Sequence, residues 1–320
     1  MPIAGKGYIC ATLSDVVYPT NMLSKSTKNK ILKHLSVSQN GFRFIKNLLG
    51  HNQYRLAYLC IKGRYQVQVA PGAAVWFMAN RTWQDNRMVW KGYYYSEPYS
   101  KWIWLQLVKN ATVAIDVGAN VGEYTLPALA VNPALKLHAF EPIPHNVYAL
   151  QKSVELNEGF SSRCTIHDFA LSNKEDKVYY HDYVCAGFEL GSIFTEAKPN
   201  AAGTNFFITK TYDSLGLEKP DVIKIDVETA EELTLTGMEQ TIVKHRPVMI
   251  VEILKQEVFD PLHNMIQRWG YRWLQIDDEH HKVHQVHGFV KKNGGNLLMY
   301  PPEQMNAVEA AINAPRPYQP

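Results

Sequence analysis

The feature that most constrains this chain is the run from Thr112 to Gly122. A short apolar stretch, Thr112 to Val117, ends in Asp116-Val117-Gly118-Ala119-Asn120-Val121-Gly122 and passes at once into a helix-like pattern from Gly122 to Val131. An apolar run without alternation is what a strand buried on both faces requires, and such strands belong to parallel sheets covered by helices. The small residues after it allow a tight turn and a close approach of backbone to a ligand.

The same pattern then repeats. Strands are expected at Leu135–Phe140, Cys164–Phe169, Asp221–Val227 and Pro247–Ile253, with helices at Pro144–Asn157, Glu231–Lys244 and Val258–Trp269. This alternation predicts an α/β fold with a mostly parallel, doubly wound sheet. Tyr271–Ile276 and Asn296–Tyr300 lack an intervening helix, so that last pair is expected to be antiparallel. An insertion with hairpin character separates the third strand from about residue 210. The first third reads differently. Residues 22–60 carry helix-like spacing, and residues 64–90 read as short strands around a Pro71-Gly72 turn. Next comes an aromatic cluster of Trp90, Tyr93, Tyr94, Tyr95, Tyr99, Trp102 and Trp104, either packing against the following domain or walling an acceptor site. The Pro- and Ala-rich tail from Pro301 is expected to be only partly ordered at its end.

With 46% hydrophobic residues the chain can bury a core, and a formal net charge of +3 gives no strong electrostatic case for nucleic acid. Cys10, Cys60, Cys164 and Cys185 form no C-x-x-C pair and fit no zinc spacing, so reduced thiols and a cytoplasmic location are expected. Neither a secretory leader nor a transmembrane segment is legible.

In open α/β sheets ligands bind beyond the carboxyl ends of the strands. The first strand end offers Asp116, Gly118, Asn120 and Gly122, followed by free N–H groups of a helix start. The second offers Glu141, an acid placed to accept both hydroxyls of a ribose. A dinucleotide fingerprint would need G-x-G-x-x-G, but Asn120 stands at the middle glycine, and Asp116 would repel a pyrophosphate. A sulfonium carrying an amino-acid tail tolerates that acid. At the third strand end Asp168 could accept from an adenine amino group and Phe169 could flank the ring. The fourth brings Lys224, Asp226 and Glu228 together, and converging charges on an apolar strand end are paired or functional. Glu252 ends the fifth. His280, His281, His284 and His287 read as loop histidines, while His145 and His181 are alternative bases nearer the crevice.

The segments A-I-D-V-G-A-N-V-G-E-Y-T-L, A-F-E-P, F-A-L-S-N, T-Y-D-S-L, I-K-I-D-V-E-T-A-E and R-P-V-M-I-V-E-I, in this order, strongly resemble the FkbM-type methyltransferase family over roughly residues 95–300. The resemblance implies a Rossmann-like class I methyltransferase fold and S-adenosyl-L-methionine as donor. It also implies O-methyl transfer to a hydroxyl of a small molecule, carbohydrate or glycolipid. On it, Asp116, Gly118, Asn120, Gly122 and Glu141 look like donor-binding residues and Asp168, with Phe169, the adenine side. Lys224, Asp226 and Glu228 look like the signature beside the reacting methyl. The chain then divides into an N-terminal α+β accessory region (1–95), the methyltransferase domain (96–303) and a tail (304–320). One departure stands out: the family's D-V-E-G-A-E has Thr229 in place of its glycine. If that backbone needs a positive φ, threonine is the wrong residue for it.

An alcohol must lose its proton as it is methylated, and a carboxylate can take it. Asp226 is the first candidate base and Glu228 the second, with Lys224 orienting them. Asp226, Glu228 and Glu252 offer hard oxygen ligands, but a divalent metal is not expected. The rival readings are a nicotinamide-dependent oxidoreductase, a ribose 2′-O-methyltransferase acting on RNA, and a non-catalytic binding protein on the same fold.

Overall fold

The computed structural model describes residues 36–37, 60–79, 83–181, 184–185, 188–189, 204–254, 256–285 and 295–316. The predicted helical stretch at 22–60 lies outside the described residues, apart from Ser36–Val37, which pairs in parallel with Cys60–Ile61. From residue 64 the elements are β1 (Arg64–Ala70), β2 (Ala73–Met78), α1 (Trp83–Lys91), α2 (Pro98–Val108), β3 (Val113–Val117), α3 (Thr125–Val131), β4 (Lys136–Phe140) and α4 (Pro144–Leu156). There follow β5 (Cys164–His167), β6 (Ala170–Leu171), β7 (Asp176–His181), β8 (Thr204–Lys210), β9 (Val222–Ile225), α5 (Glu231–Thr236), α6 (Glu239–His245) and β10 (Val248–Glu252). The last are α7 (Gln256–Arg268), β11 (Arg272–Asp277), β12 (Lys282–His284), β13 (Asn296–Tyr300) and α8 (Met305–Asn313).

The central sheet has the order β12-β11-β13-β10-β9-β3-β4-β5. Strands β10, β9, β3, β4 and β5 run parallel, while β13 is antiparallel to both its neighbours. This is the Rossmann-like, doubly wound α/β arrangement with an antiparallel strand inserted near one edge. Strands β3, β9 and β13 are buried at every position, which is why they read as continuous apolar runs. Within them, residues alternate between two cores. Ala114, Val222, Ile250 and Leu298 face the core that holds Ile103, Trp104 and Val108 of α2. Ile115, Ile223, Met249 and Leu297 face the core that holds Leu262 and Ile266 of α7. The period of two therefore sends Asp116, Lys224, Glu252 and Asn296 to the α2 side.

Several expectations are corrected. Residues 64–90 hold one hairpin, β1–β2, and then the helix α1. The hairpin docks on α4: Met78 N–H donates to Ser153 Oγ at 2.8 Å, and Asn157 Oδ1 and Nδ2 pair with the Trp76 backbone at 3.0 and 2.8 Å. The helix expected over Glu231–Lys244 is broken at Gly237 and Met238 into α5 and α6, where the Asp213 carboxylate accepts the N–H groups of Gln240 and Thr241 at 2.9 and 3.0 Å and only glycine fits beside the Ser172 carbonyl at 237. The third strand stops at His167, and β6 pairs with β8 in a separate three-stranded sheet with β7. The tail beyond Pro301, for which no element was expected, forms α8, which buries Val308 and Ala311, and its last four residues lie outside the described residues.

Helix α2 is apolar almost all round, as a helix covered on every side must be. Its preceding residue, Glu97, makes no side-chain cap. Asp278, far along the chain, does this instead: its Oδ1 accepts the N–H groups of Tyr99 and Ser100 at 2.8 Å, and its Oδ2 accepts Ser100 Oγ at 2.7 Å. A carboxylate at a helix N-terminus satisfies orphan donors and complements the dipole. Asp278→Ala should therefore lower stability by about 1–2 kcal/mol, read as a lower urea midpoint with an unchanged slope.

Candidate active site

A cleft of about 830 Å³ opens at the carboxyl ends of β3, β4, β9 and β10. The turn after β3 is drawn tight against its neighbours: Gly118 and Ala119 N–H both donate to the Phe140 carbonyl, and Asp226 N–H donates to Val117. Gly118 has φ +81, and a Cβ there would meet the Asp226 carbonyl oxygen at 1.8 Å, so only glycine lets β3 and β9 end side by side. Asn120 takes φ 48, a left-handed conformation asparagine tolerates better than most residues. Gly122, at φ +95, packs on Leu150 beneath the cleft.

Glu141 is buried in the cleft wall. Its Oε2 accepts Asn120 N–H at 2.9 Å, and its Oε1 accepts Ile143 N–H at 2.9 Å and Asn146 Nδ2 at 3.3 Å. Burial pushes its pKa up to about 7, against the lowering effect of those donors. Asp116 accepts Thr125 Oγ1 at 2.6 Å and is pushed up to about 6, again by burial.

At the β9 end, Lys224 has no exposure to solvent. Its Nζ donates to Asn296 Oδ1 at 3.1 Å, lies 3.6 Å from Asp226 Oδ2, and sits 5.0 Å from the centre of the Tyr124 ring. Asn296 Nδ2 in turn donates to Glu97 Oε1. Burial opposes the ammonium, but the charges of Asp226 and Glu97 outweigh it and raise its pKa. Burial also works to raise Asp226, but Lys224 and a hydrogen bond with Glu252 hold its carboxyl below the usual range. Glu252 goes the other way, pushed up to about 10 by burial and by Asp226. One proton thus stays on Glu252 and faces an ionised Asp226. Glu228 is raised by burial and by Asp226.

The structure therefore brings Asp116, Gly118, Asn120, Glu141, Lys224, Asp226 and Glu228 to one cleft. Asp168 and Phe169 are not among its lining residues. The end of β5 is instead an aromatic stack: His167 lies 4.3 Å from Phe140, and Phe169 meets Phe140 edge-on beneath the Lys210 ammonium. The cleft geometry gives the adenine-side expectation for these two residues no support. His145 does not line the cleft, and the side chains of His181 and His287 lie outside the described residues. His280 and His284 both reach Asp277 Oδ2, at 2.9 and 3.2 Å, and close the β11–β12 hairpin. Among the described residues, no three His, Cys, Asp or Glu side chains form a metal-holding group.

Of the aromatic cluster, Tyr93, Tyr99, Trp102 and Trp104 are core, while Tyr95 lines the cleft. Lys101, fully buried, lies between the Tyr93 and Tyr95 rings at 5.0 and 4.7 Å and donates to Glu123 Oε2 at 2.6 Å. Tyr95 Oη donates to Glu123 Oε1 at 2.8 Å. Glu123 belongs to the turn after β3, so this network ties residues 93–101 to that turn. Sequence reasoning missed Glu97, Tyr124 and Asn296. No spacing links them, and only the position of Glu97 ahead of Pro98 and a helix hinted at a special backbone.

Thr229 takes φ +86 and Glu228 takes φ 52, so the family's glycine position does need a left-handed backbone and threonine occupies it under strain.

Residues 116–273 match the family model described as Methyltransferase FkbM domain. Among curated proteins, the chain is 42% identical over 71 residues to the tRNA wybutosine-synthesizing protein 2 homolog of Rattus norvegicus, and 41% identical over 71 residues to that of Homo sapiens. Each match takes in 21% of this chain and only 16% of the relative. Among solved structures, a methyltransferase FkbM from Methylobacillus flagellatus KT aligns at 19% identity with a TM-score of 0.43, covering 59% of this chain and 44% of that one. A SAM-dependent O-methyltransferase from Thermotoga maritima aligns at 11% identity with a TM-score of 0.37, covering 62% and 63%. The fold rests on the strand order itself.

Two outcomes are expected. S-adenosylhomocysteine should bind more weakly as pH falls from 8 to 6 and Glu141 gains its proton, and Glu141→Gln should bind weakly with a flat profile; calorimetric titration across pH checks both. Thr229→Gly should raise the urea midpoint, because relief of about 1–3 kcal/mol of backbone strain exceeds the roughly 0.5–1 kcal/mol entropic cost of glycine.

Proposed function

We propose that this chain, whose residues 116–273 match the methyltransferase FkbM domain, transfers a methyl group from S-adenosyl-L-methionine to a hydroxyl oxygen of a small molecule or carbohydrate. The observation that carries this reading is one cleft with two kinds of end: a buried ribose-type acid, Glu141, on β4, and an ionised carboxylate, Asp226, on β9. The residues fit the donor. Glu141 keeps lone pairs beyond the three bonds it already accepts. Asp116 suits a positively charged amino-acid tail, and the cleft volume is of the size that ligand sites have.

When bound, S-adenosyl-L-methionine supplies an electrophilic methyl on a sulfonium, which leaves as a neutral thioether without needing an acid. The chain's own residues then have two tasks. Glu141 and the turn at Gly118 fix the donor, and positioning supplies much of the acceleration. Asp226 accepts the acceptor's proton as the oxygen–carbon bond forms and the carbon–sulfur bond breaks. Lys224 keeps Asp226 ionised until that moment, and Glu252, already protonated, cannot compete for the proton. Glu228, exposed at the rim, is the second candidate base. A metal has no part in this reading.

The short matches to tRNA wybutosine-synthesizing protein 2 homologs suggest tRNA as a second reading. The cleft speaks against it: carboxylates of Glu97, Asp116, Asp226 and Glu228 line the site that a phosphodiester chain would approach.

Asp226→Ala should lower methyl transfer at least about 100-fold while S-adenosylhomocysteine affinity stays within threefold, measured with radiolabelled donor and a panel of methyl glycosides. Retained turnover in that variant would remove Asp226 from the chemistry.

A further inference from the structure

Two groups in the cleft have no task in that scheme. Tyr124 is only 6% exposed and lines the cleft, and its hydroxyl has no hydrogen-bond partner among the described residues. A buried hydroxyl left unpaired costs about 1–3 kcal/mol, and native structures keep such groups for a ligand or a water. Its ring lies over Lys224, and the charges acting on it include Glu97 and Asp226. Glu97 is the second group. It is held in the left-handed region at φ 45, ψ 46, in a residue that is not glycine. Strain of this kind persists where surrounding structure over-determines it, often at binding sites. Here Asn296 and Lys224 do so, aiming the Glu97 carboxylate into the cleft with lone pairs to spare.

The sheet order separates the two halves of the cleft. Glu141 follows β4, and Asn296, which holds Glu97, begins β13, with β3, β9 and β10 between them. Four steps of ~4.8 Å put these points roughly 19 Å apart. A donor anchored at Glu141 and crossing the Gly118 turn reaches Asp226 on β9, and Glu97 and Tyr124 lie around and beyond that point. An anion entering there would meet Glu97 and Asp226, while Lys224 is fully buried against Asp226 and Asn296. A neutral polyol meets no such repulsion, and each of its hydroxyls both donates and accepts.

We propose that Tyr124 Oη and the Glu97 carboxylate form the acceptor subsite, binding neighbouring hydroxyls of a neutral sugar beside the one presented to Asp226. Glu97 accepts from one sugar O–H, and Tyr124 donates to the adjacent oxygen. Tyr124 lies within the family-matched segment but apart from Lys224, Asp226 and Glu228, and Glu97 lies outside that segment altogether. The proposal rests on the methyltransferase reading above and deepens it.

The test uses the full chain loaded with S-adenosylhomocysteine and the methyl α-glycosides of glucose, galactose, mannose and rhamnose, followed by saturation-transfer NMR. At least one glycoside should bind wild type. Tyr124→Phe and Glu97→Gln should each weaken it tenfold or more, while S-adenosylhomocysteine affinity stays within threefold. Tyr124→Phe should melt no lower than wild type, since it deletes an unpaired hydroxyl. If S-adenosylhomocysteine binds but no glycoside does, or both variants bind glycoside as wild type does, the subsite is wrong. If Glu97→Gln weakens S-adenosylhomocysteine instead, Glu97 belongs to the donor and the proposal falls. If S-adenosylhomocysteine itself fails to bind wild type, the methyltransferase reading fails, and the same glycoside titration on the unloaded chain still decides the subsite.

Discussion

Lys224 is the charge around which the cleft is organised. An ammonium with no access to solvent must find its compensation where it stands, because moving it into the interior costs several kcal/mol. It finds Asn296 from β13, Asp226 from its own strand and the Tyr124 ring from the turn before α3. Through Asn296 it also holds Glu97, from the segment ahead of α2. One buried cation thus joins two sheet strands, the turn before α3 and the segment ahead of α2. It also sets the protonation pattern: Asp226 ionised beside it, Glu252 protonated behind.

A second buried cation, Lys101, does the same for the turn after β3. Its pairing with Glu123 fastens the 93–101 segment to the glycine turn after β3. Breaking a buried pair of this kind by removing one partner typically costs about 3–5 kcal/mol. The aromatic cluster that drew attention in the sequence is largely the packing around these two lysines. Residues ahead of the family-matched segment therefore complete the cleft as well as cover it. The motifs build the strand ends and the turn after β3, while the segment from Tyr93 to Lys101 supplies Tyr95, Ser96 and Glu97 to the cleft wall. That division suits a fold in which catalytic architecture is shared and acceptor recognition lies in peripheral segments.

The legible part of this protein was what depends on short-range pattern. Continuous apolar runs marked β3, β9 and β10, since strands buried on both faces leave no alternation to obscure them. The acids at strand ends were legible because an α/β sheet directs its carboxyl ends to one crevice. Even the misfit at Thr229 was readable as a question about φ, and the backbone answered it at +86. The departures from the expected elements come from contacts with distant segments. Between α5 and α6 the Asp213 carboxylate accepts the N–H groups of Gln240 and Thr241, and β5 ends at His167, where β6 joins a separate sheet. Asp168 and Phe169 follow a strand as expected, but at that point the chain leaves the central sheet, and neither lines the cleft.

By itself, the order of apolar runs, turn glycines and end-of-strand acids determined the α/β class, the antiparallel last pair and the side of the sheet where chemistry takes place. Those are consequences of backbone sterics and of periods of two and 3.6, which act within a few residues. Which of those acids is charged, which lysine neutralises it and which residues from outside the motifs line the cleft were decided only in three dimensions. Burial and pairing depend on partners such as Glu97 and Asn296, which the fold alone brings within hydrogen-bonding distance.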